Sequence, residues 1–209
     1  MKRTWAIGDI HGESGLLFDL LSKIPKQDNL IFMGDMIDRG PNSKDVIDEV
    51  RKQCDSGRAI AMLGNHELFA IEKDKPHGMD VWLIPCNGGQ RTLDSYGGDI
   101  PGDVIDWMKK LPTERIIDDI YICHAPYSKT ETKYEKVWRY IEFQREPKAV
   151  SPHKFAICGH IHRLQEGLYS PRIYERYAFI DTGAGCYYKA PLTAMEIHTK
   201  EFLMAWPEI

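Results

Sequence analysis

The sequence predicts an α/β protein in which strands and helices pack in layers. Short continuous apolar runs of β-forming residues recur along the chain, which is typical of strands buried on both faces. Stretches with leucine, isoleucine and valine at helical spacing separate some of these runs, and this alternation favours an α/β layered fold. Each run also ends in a polar cluster. Because such folds place the carboxyl ends of their strands at one edge of the sheet, we expect these clusters to converge.

Five apolar runs are the predicted strands, and each leads directly into a cluster that begins with glycine or histidine. The runs are residues 5–7, 30–33, 59–63, 120–123 and 155–158. The clusters contain Asp9, His11, Asp35, Asp38, Arg39, Asn65, His66, His124, His160 and His162. Five of the eight histidines of the chain belong to these clusters, so imidazole is expected to carry much of their chemistry.

Two helices are expected between the first three strands. Apolar residues at helical spacing predict a helix over 16–24 and a second over 46–50, with Ser43 as the N-cap of the second. From residue 178 the pattern becomes strand-like again, and it predicts a hairpin that continues a second sheet.

The stretch from about 72 to 112 differs from the rest of the chain. Prolines and paired glycines break it into short segments, which predicts a cap-like insertion with short helices at one wall of a cleft. No linker divides the sequence, so residues 1–209 are expected to form a single domain.

Composition limits the classes of function. The chain has 209 residues and a net charge of −4, which does not favour nucleic-acid binding. No apolar stretch approaches the ~18 residues of a membrane span, so no membrane association is expected. The five cysteines are widely spaced, which argues against a disulfide framework or a zinc knuckle. A reducing, cytoplasmic location is therefore predicted.

The clustered side chains point to divalent metals. Carboxylates, imidazoles and an amide suit manganese, iron, zinc or cobalt, and they are too many for one tetrahedral zinc. Two metals ~3.5–4 Å apart that share a carboxylate could use them all. Each cluster alone has a simpler structural interpretation: Asp38 and Arg39 could form a surface ion pair, and Asn65 could cap a helix. Their joint occurrence, each after a predicted strand, favours one metal site.

The ordered motifs resemble those of the calcineurin-like metallophosphoesterase superfamily. They are similar, more narrowly, to the PPP-type serine/threonine protein phosphatases of the small bacterial and bacteriophage type. The motifs are Gly8-Asp9-Ile10-His11-Gly12, Gly34-Asp35-Met36-Ile37-Asp38-Arg39-Gly40, Gly64-Asn65-His66-Glu67, His124 and Gly159-His160. Asn87-Gly88-Gly89 and Asp181-Thr182-Gly183-Ala184 also resemble this group. The resemblance implies the metallophosphoesterase fold, a layered β-sandwich core with helices on both sides and an active site at the C-terminal ends of the strands.

The resemblance also implies a role for each cluster. Two divalent metals, with manganese expected and iron, zinc or cobalt as alternatives, would bind Asp9, His11, Asp35, Asn65, His124, His160 and His162. Asp35 would bridge the metals, and His162 is a further candidate ligand of the first. His66 would be the general acid, with Asp38 paired to it. Arg39 would clamp the phosphoryl group, together with Asn65 and a second arginine. Arg139 resembles that second arginine, and Arg163 is a weaker candidate.

The implied activity is hydrolysis of phosphomonoesters by direct attack of a metal-bound water. The expected substrate is phosphoserine or phosphothreonine in a phosphoprotein or phosphopeptide. Hydrolysis of a dinucleoside polyphosphate, such as diadenosine tetraphosphate, or of another nucleotide phosphoester is the alternative. A non-catalytic protein-binding scaffold of the same fold is a remote third possibility, because every ligand position and His66 are retained.

Overall fold

The computed structural model describes residues 2–127, 132–138, 153–162 and 169–208. Within these residues, the strands are β1 (Thr4–Ile7), β2 (Asn29–Phe32), β3 (Ala59–Ala61), β4 (Glu114–Ile117), β5 (Ile120–Cys123), β6 (Phe155–Cys158), β7 (Arg172–Ile173), β8 (Tyr177–Phe179), β9 (Leu192–Glu196) and β10 (Phe202–Ala205). The helices are α1 (Ser14–Lys23), α2 (Ser43–Asp55), α3 (Asn65–Glu72), α4 (Gly78–Trp82), α5 (Gly89–Tyr96), α6 (Gly102–Lys109) and α7 (Lys133–Trp138).

The strands form two mixed sheets. The first has the order β10-β9-β1-β2-β3, and the second has the order β4-β5-β6-β8-β7. Strands β1, β2 and β3 are parallel to one another, as are β5, β6 and β8. All five predicted strands are present, and the α/β fold class with a sandwich of two sheets is confirmed.

Alternation of side chains along the strands builds the core in layers. In β2, Leu30 and Phe32 belong to the cluster that includes the apolar faces of α1 and α2. Ile31 packs on the opposite face with Ile122 and Ile157 of the second sheet. Because successive side chains point to opposite faces, a fully apolar strand joins the helices on one side to the second sheet on the other. The continuous apolar runs of the sequence are explained by this double burial.

The C-terminal hairpin lies in a different sheet from the one predicted. Strand β9 pairs antiparallel with β10 and with β1, so the hairpin extends the first sheet and does not continue the second. The reason is that β1 lies inside the first sheet: Trp5 and Ala6 are buried, and their strand needs a partner on the side away from β2. β9 supplies that partner.

Helix α2 begins one residue away from the predicted position. Its N-cap is Asn42, and Ser43 is its first helical residue, so the prediction of Ser43 as N-cap is wrong. The hydroxyl of Ser43 instead accepts a hydrogen bond from the backbone N–H of Asp38 at 3.1 Å. Ser43 therefore supports the polar cluster after β2.

Three short helices, α4, α5 and α6, occupy the stretch from 72 to 112. Helix α4 packs on α3, α5 on α2, and α6 on α3. The cap-like character of this stretch and the single-domain organisation stay predictions. Among the described residues, each helix is too short or too polar to cross a lipid bilayer.

Candidate metal centre

The carboxyl ends of strands from both sheets bring carboxylates and histidines together. Ligand atoms form two groups, and within each group all of the atoms lie within 4.8 Å of one another. Asp35 belongs to both groups. One group joins Asp35 to His11 and His66, and the other joins it to His124 and His160. These side chains follow β1, β2, β3, β5 and β6. The structure therefore gathers residues that are up to 149 positions apart around one carboxylate.

The backbone at these strand ends adopts an uncommon conformation. Left-handed φ angles occur at His11 (46°), Asp35 (48°), Asp38 (71°), Arg39 (67°) and His160 (61°). Such angles cost energy for residues other than glycine, and they cluster at functional sites when the surrounding structure enforces them. Gly34 also has a positive φ of 96°, and a Cβ there would lie 2.6 Å from the backbone nitrogen of Gly64. Glycine thus lets the ends of β2 and β3 approach closely.

A buried glutamate joins the ends of β2 and β3. The carboxylate of Glu67 accepts hydrogen bonds from the backbone N–H groups of Asp35 (2.9 Å), Met36 (2.7 Å) and Gly64 (2.9 Å). Burial, followed by the charge of Asp35, raises the pKa of Glu67 to about 7. The sequence assigned no role to Glu67, although its position three residues after Gly64 is the one from which a glutamate reaches back to a helix N-cap.

Beside the second group, Asn65 adds an amide oxygen, and three lone pairs converge there. The Nδ1–H of His124 donates to the carbonyl of Met33 at 3.0 Å, which leaves Nε2 without a proton in the neutral ring. This Nε2 lies 3.0 Å from Oδ1 of Asn65 and 3.3 Å from Oδ1 of Asp35. Burial lowers the pKa of His124 and so favours the neutral form. These three atoms are all acceptors, and no proton lies between them. A cation bound by all three would suit this arrangement.

Two more of the histidines that neighbour Asp35, His11 and His160, are also held in the form that binds metals. His11 donates from Nδ1–H to the carbonyl of Ile37 at 3.0 Å, and its Nε2 lies 3.7 Å from Oδ2 of Asp35. Burial, followed by the charge of Arg39, lowers the pKa of His11 well below its ordinary value. Burial, followed by His124, lowers the pKa of His160 to about 3. Neutral imidazoles are the form that coordinates a metal.

Asp35 itself is held as a carboxylate. Burial alone would raise its pKa, but electrostatic interaction with the surrounding imidazoles, His124 first, outweighs burial and lowers the pKa. An ionised carboxylate shared by two sets of imidazoles fits a bridging ligand between two divalent metals. The residues present therefore suit the metal pair that the sequence predicts.

His66 and Asp38 form a buried pair beside this cluster. The Nδ1–H of His66 donates to Oδ2 of Asp38 at 2.7 Å, and its Nε2 lies 3.9 Å from Oδ2 of Asp35. Asp38 is fully buried, so its interpretation as half of a surface ion pair with Arg39 is wrong. The cap interpretation of Asn65 is also wrong, because the N-cap of α3 is Gly64.

Arg39 points into the cluster. Its Nη1 lies 2.5 Å from Nε2 of His11 and 2.7 Å from Sγ of Cys186. Together with His162 and Arg91 it lines an open cavity of about 480 Å³. The guanidinium is thus available both to the ligand atoms and to a molecule in the cavity.

Four other candidate residues lie outside the two groups around Asp35 or outside the described residues. Both carboxylate oxygens of Asp9 accept the backbone N–H of His160, at 3.1 and 3.0 Å. His162 lies at the rim of the site, where its Nδ1 is 3.2 Å from the hydroxyl of Tyr187. Asp9 and His162 are outside the two 4.8 Å groups, and their roles as ligands stay predictions. Arg139 and the weaker candidate Arg163 lie outside the described residues.

Sequence reasoning assigned no role at the site to three further side chains. Asp181 follows β8 and is 3% exposed. Trp82 and Thr92 come from α4 and α5 and contact the carboxylate of Asp38. Asp181 also follows an apolar run, a signal that could have added it to the clusters. Trp82 and Thr92 have no such signal, because only the packing of α4 and α5 brings them to the site.

The two-sheet sandwich with a shared carboxylate at its strand ends fits the metallophosphoesterase fold that the motifs imply. A family model described as calcineurin-like phosphoesterase matches residues 2–164, and the chain belongs to this family. The metallophosphoesterase from Sphaerobacter thermophilus superposes with a TM-score of 0.65 at 17% identity, over 99% of this chain and 88% of that one, which shows the shared fold. Membership implies divalent metal ions, and the two groups around Asp35 are the candidate ligands.

Curated relatives carry two kinds of name. Serine/threonine-protein phosphatase 2 of Escherichia coli (strain K12) is 35% identical over 145 residues, which cover 65% of this chain and 63% of that protein. A symmetrical bis(5'-nucleosyl)-tetraphosphatase of Ralstonia nicotianae is 43% identical over 122 residues, which cover 57% of this chain and 40% of that protein. The chain thus spans less than two thirds of the length of these relatives.

Proposed function

We propose that this chain hydrolyses phosphomonoesters at a pair of divalent metals, with phosphoserine or phosphothreonine of proteins as its substrate. The carboxylate of Asp35, shared by two groups of histidines, is the observation that carries the metal-dependent hydrolysis, and similarity to serine/threonine-protein phosphatase 2 of Escherichia coli supports the choice of substrate. Manganese is the proposed metal, with iron, zinc or cobalt as alternatives. A metal pair, when bound, supplies an activated water and neutralises phosphoryl charge.

The residues around Asp35 have distinct proposed roles. His11 and Asp9 would hold one metal, with His162 as a further candidate. Asn65, His124 and His160 would hold the other. Arg39, which faces the cavity, would orient the phosphoryl oxygens through the two parallel N–H groups of its guanidinium. Asn65 would also contact the substrate.

His66 is the proposed general acid for the leaving oxygen. The carboxylate of Asp38 accepts its Nδ1–H, which fixes the orientation of the ring. Nε2 then faces the ligand cluster, 3.9 Å from Oδ2 of Asp35. From this position it can pass a proton to an oxygen held at the cluster.

One pair of variants separates metal binding from proton transfer. Asp35→Asn should lose bound manganese and activity together, because it weakens the shared ligand. His66→Asn should keep the metal and lose turnover by about 10²- to 10⁴-fold, the usual contribution of a general acid. Metal content by mass spectrometry and kcat on a phosphopeptide are the two measurements.

The exposed His198→Asn variant is the matched control, since His198 lies outside the site, and it should behave as the unsubstituted protein. Full metal content and full activity in Asp35→Asn would reject the proposal. Loss of metal from His66→Asn would instead indicate that His66 is a ligand, as its place in the group with Asp35 and His11 also allows.

A dinucleoside polyphosphate is the second candidate substrate. Arg91 is exposed and lines the same cavity as Arg39, and two cations along one cavity would suit a chain of several phosphates. One curated relative is named as a phosphatase of such a molecule.

Comparison of kcat/KM on a phosphothreonine peptide and on diadenosine tetraphosphate decides between the two substrates, because specificity is a ratio of these values. The proposed function predicts the larger value for the peptide. A larger value for diadenosine tetraphosphate that falls in Arg91→Gln would favour the second candidate.

A further inference from the structure

Two side chains from the stretch 72–112 hold the carboxylate of Asp38. The Nε1–H of Trp82 donates to both of its oxygens, at 3.1 Å to Oδ1 and 2.9 Å to Oδ2. The hydroxyl of Thr92 donates to Oδ1 at 2.6 Å. Asp38, Trp82 and Thr92 are each 0% exposed. With the Nδ1–H of His66, the buried carboxylate therefore accepts hydrogen bonds from three side chains.

The hydroxyl of Thr92 is fixed from the other side as well. It accepts the backbone N–H of Asp38 at 2.9 Å and lies 2.9 Å from the hydroxyl of Ser43. The single hydroxyl proton of Thr92 is donated to Oδ1 of Asp38, so the hydroxyl oxygen acts as the acceptor in the other two contacts. These contacts hold the hydroxyl in the orientation that donates to the carboxylate. The position and the rotation of the Asp38 side chain are thus set by α5 as well as by its own loop.

The glycine pair at the start of α5, Gly88 as N-cap and Gly89 as first helical residue, makes this arrangement possible. A Cβ at Gly89 would lie 2.6 Å from Nε1 of Trp82, and a Cβ at Gly88 would lie 2.5 Å from the backbone nitrogen of Arg39. Gly88 also has a φ of 77°, which favours glycine. The motif Asn87-Gly88-Gly89 therefore allows the start of α5 to pack directly against the loop that carries Asp38 and Arg39.

We propose that Trp82 and Thr92 are positioning residues for the reaction, which act through Asp38 on His66. The stretch 72–112 would then complete the leaving-group end of the site in addition to forming its wall. This inference rests on the proposed function, in which His66 protonates the leaving oxygen. Loss of either donor leaves the buried carboxylate of Asp38 with fewer hydrogen-bond partners. The carboxylate is then less firmly positioned, and it should orient the ring of His66 less well.

The test uses leaving groups of different basicity. An alcohol such as threonine needs a proton as it leaves, whereas p-nitrophenolate leaves readily without one. Thr92→Val and Trp82→Phe should lower kcat on a phosphothreonine peptide by about 10- to 100-fold, part of the usual contribution of a general acid. They should lower kcat on p-nitrophenyl phosphate by much less, and leave manganese content unchanged.

Three controls isolate the hydrogen bond. Thr92→Ser keeps the hydroxyl and should restore most of the activity on the peptide. Ser95→Ala lies on the same helix, where its hydroxyl bonds to the carbonyl of Thr92 and not to Asp38, and it should match the unsubstituted protein. In an Asp38→Asn background, Thr92→Val should lower kcat on the peptide little further, because the effects of substitutions in one chain of contacts are not additive.

The outcomes are distinguishable. Equal losses on both substrates, or a Thr92→Ser variant no better than Thr92→Val, would overturn the inference while leaving the proposed function intact. If Thr92→Val fails to fold, Trp82→Phe and Thr92→Ser still decide the question by the same comparison. An unsubstituted protein that hydrolyses neither substrate with manganese would reject the proposed function, and the inference with it.

Discussion

Asp181 places a second buried carboxylate next to Asp9. Its Oδ1 accepts the backbone N–H of Gly183 at 2.8 Å, whereas its Oδ2 is buried and has no hydrogen-bond partner within the described part of the chain. Burial, followed by the charges of Asp181 and Asp35, raises the pKa of Asp9 well above its ordinary value. Buried carboxylates so close together are costly unless a cation lies among them.

Asp181→Asn should therefore weaken manganese binding at the first metal. The substitution keeps the size of the side chain and its acceptor for Gly183, but it removes a negative charge beside Asp9. Loss of a group that supports metal ligands typically costs about 10- to 100-fold in metal affinity, and calorimetric titration of the metal-free protein with manganese measures it. The exposed Asp118→Asn variant is the control. An affinity equal to that of the unsubstituted protein would show that Asp181 does not act on the metal.

At the scale of single residues, the sequence predicts those that directly follow an apolar strand. Asp35, His124 and His160 were predicted in this way, and the structure brings them within 4.8 Å of one another. The residues that support them were not predicted. Thr92 matters because its hydroxyl lies 2.6 Å from a carboxylate 54 positions earlier, and no local pattern encodes such a contact.

At the scale of elements, the strands were predictable because burial on both faces makes them apolar throughout. The pairing of these strands within the sheets was harder to predict. The hairpin of β9 and β10 was predicted to continue the second sheet, but β9 pairs with β1, about 190 residues earlier. Pairing over that distance depends on which edge of β1 is left uncovered once β2 is in place, and this is a property of the assembled sheet.

The short helices of the stretch 72–112 were predicted from its prolines and glycines, but their contribution was not. Paired glycines mark a turn in the sequence. Only the structure shows that one of them makes room for the indole of Trp82. A glycine can be required by a neighbour that arrives from another element, and its own surroundings in the sequence do not reveal which neighbour that is.

At the scale of the whole molecule, the N-terminal strand β1 and the C-terminal strands β9 and β10 lie in the first sheet. Hydrogen bonds to the side chain of Glu196 connect β1 to the hairpin of β9 and β10. This side chain accepts the backbone N–H groups of His198 (2.9 Å) and Thr199 (2.6 Å) in the turn before β10. It also accepts the N–H of Thr4 in β1, at 3.4 Å. Burial alone would raise the pKa of Glu196, but these hydrogen bonds outweigh burial, so the pKa is lowered.

This shift gives the stability of the fold a defined dependence on pH. A carboxyl with a lowered pKa in the folded state stabilises that state above the unfolded pKa, which is about 4.3 for glutamate. The stabilisation is lost as the pH falls through the folded pKa. Glu196→Gln should therefore reduce the free energy of unfolding by about 1.5–3 kcal/mol near neutral pH, the usual range for hydrogen bonds to a charged group. The deficit should shrink as the pH falls below about 4.

Urea unfolding of both proteins at neutral and acidic pH measures this difference directly. Glu201→Gln is a suitable control, because Glu201 lies in the same hairpin but is paired with Arg3 at the exposed surface, where an ion pair contributes little. If the deficit of Glu196→Gln were the same at both pH values, the ionised carboxylate would not be what joins the two ends of the chain. The junction would then depend on the backbone pairing and packing of β1 and β9, and the glutamine variant would differ from the unsubstituted protein only through its altered contacts.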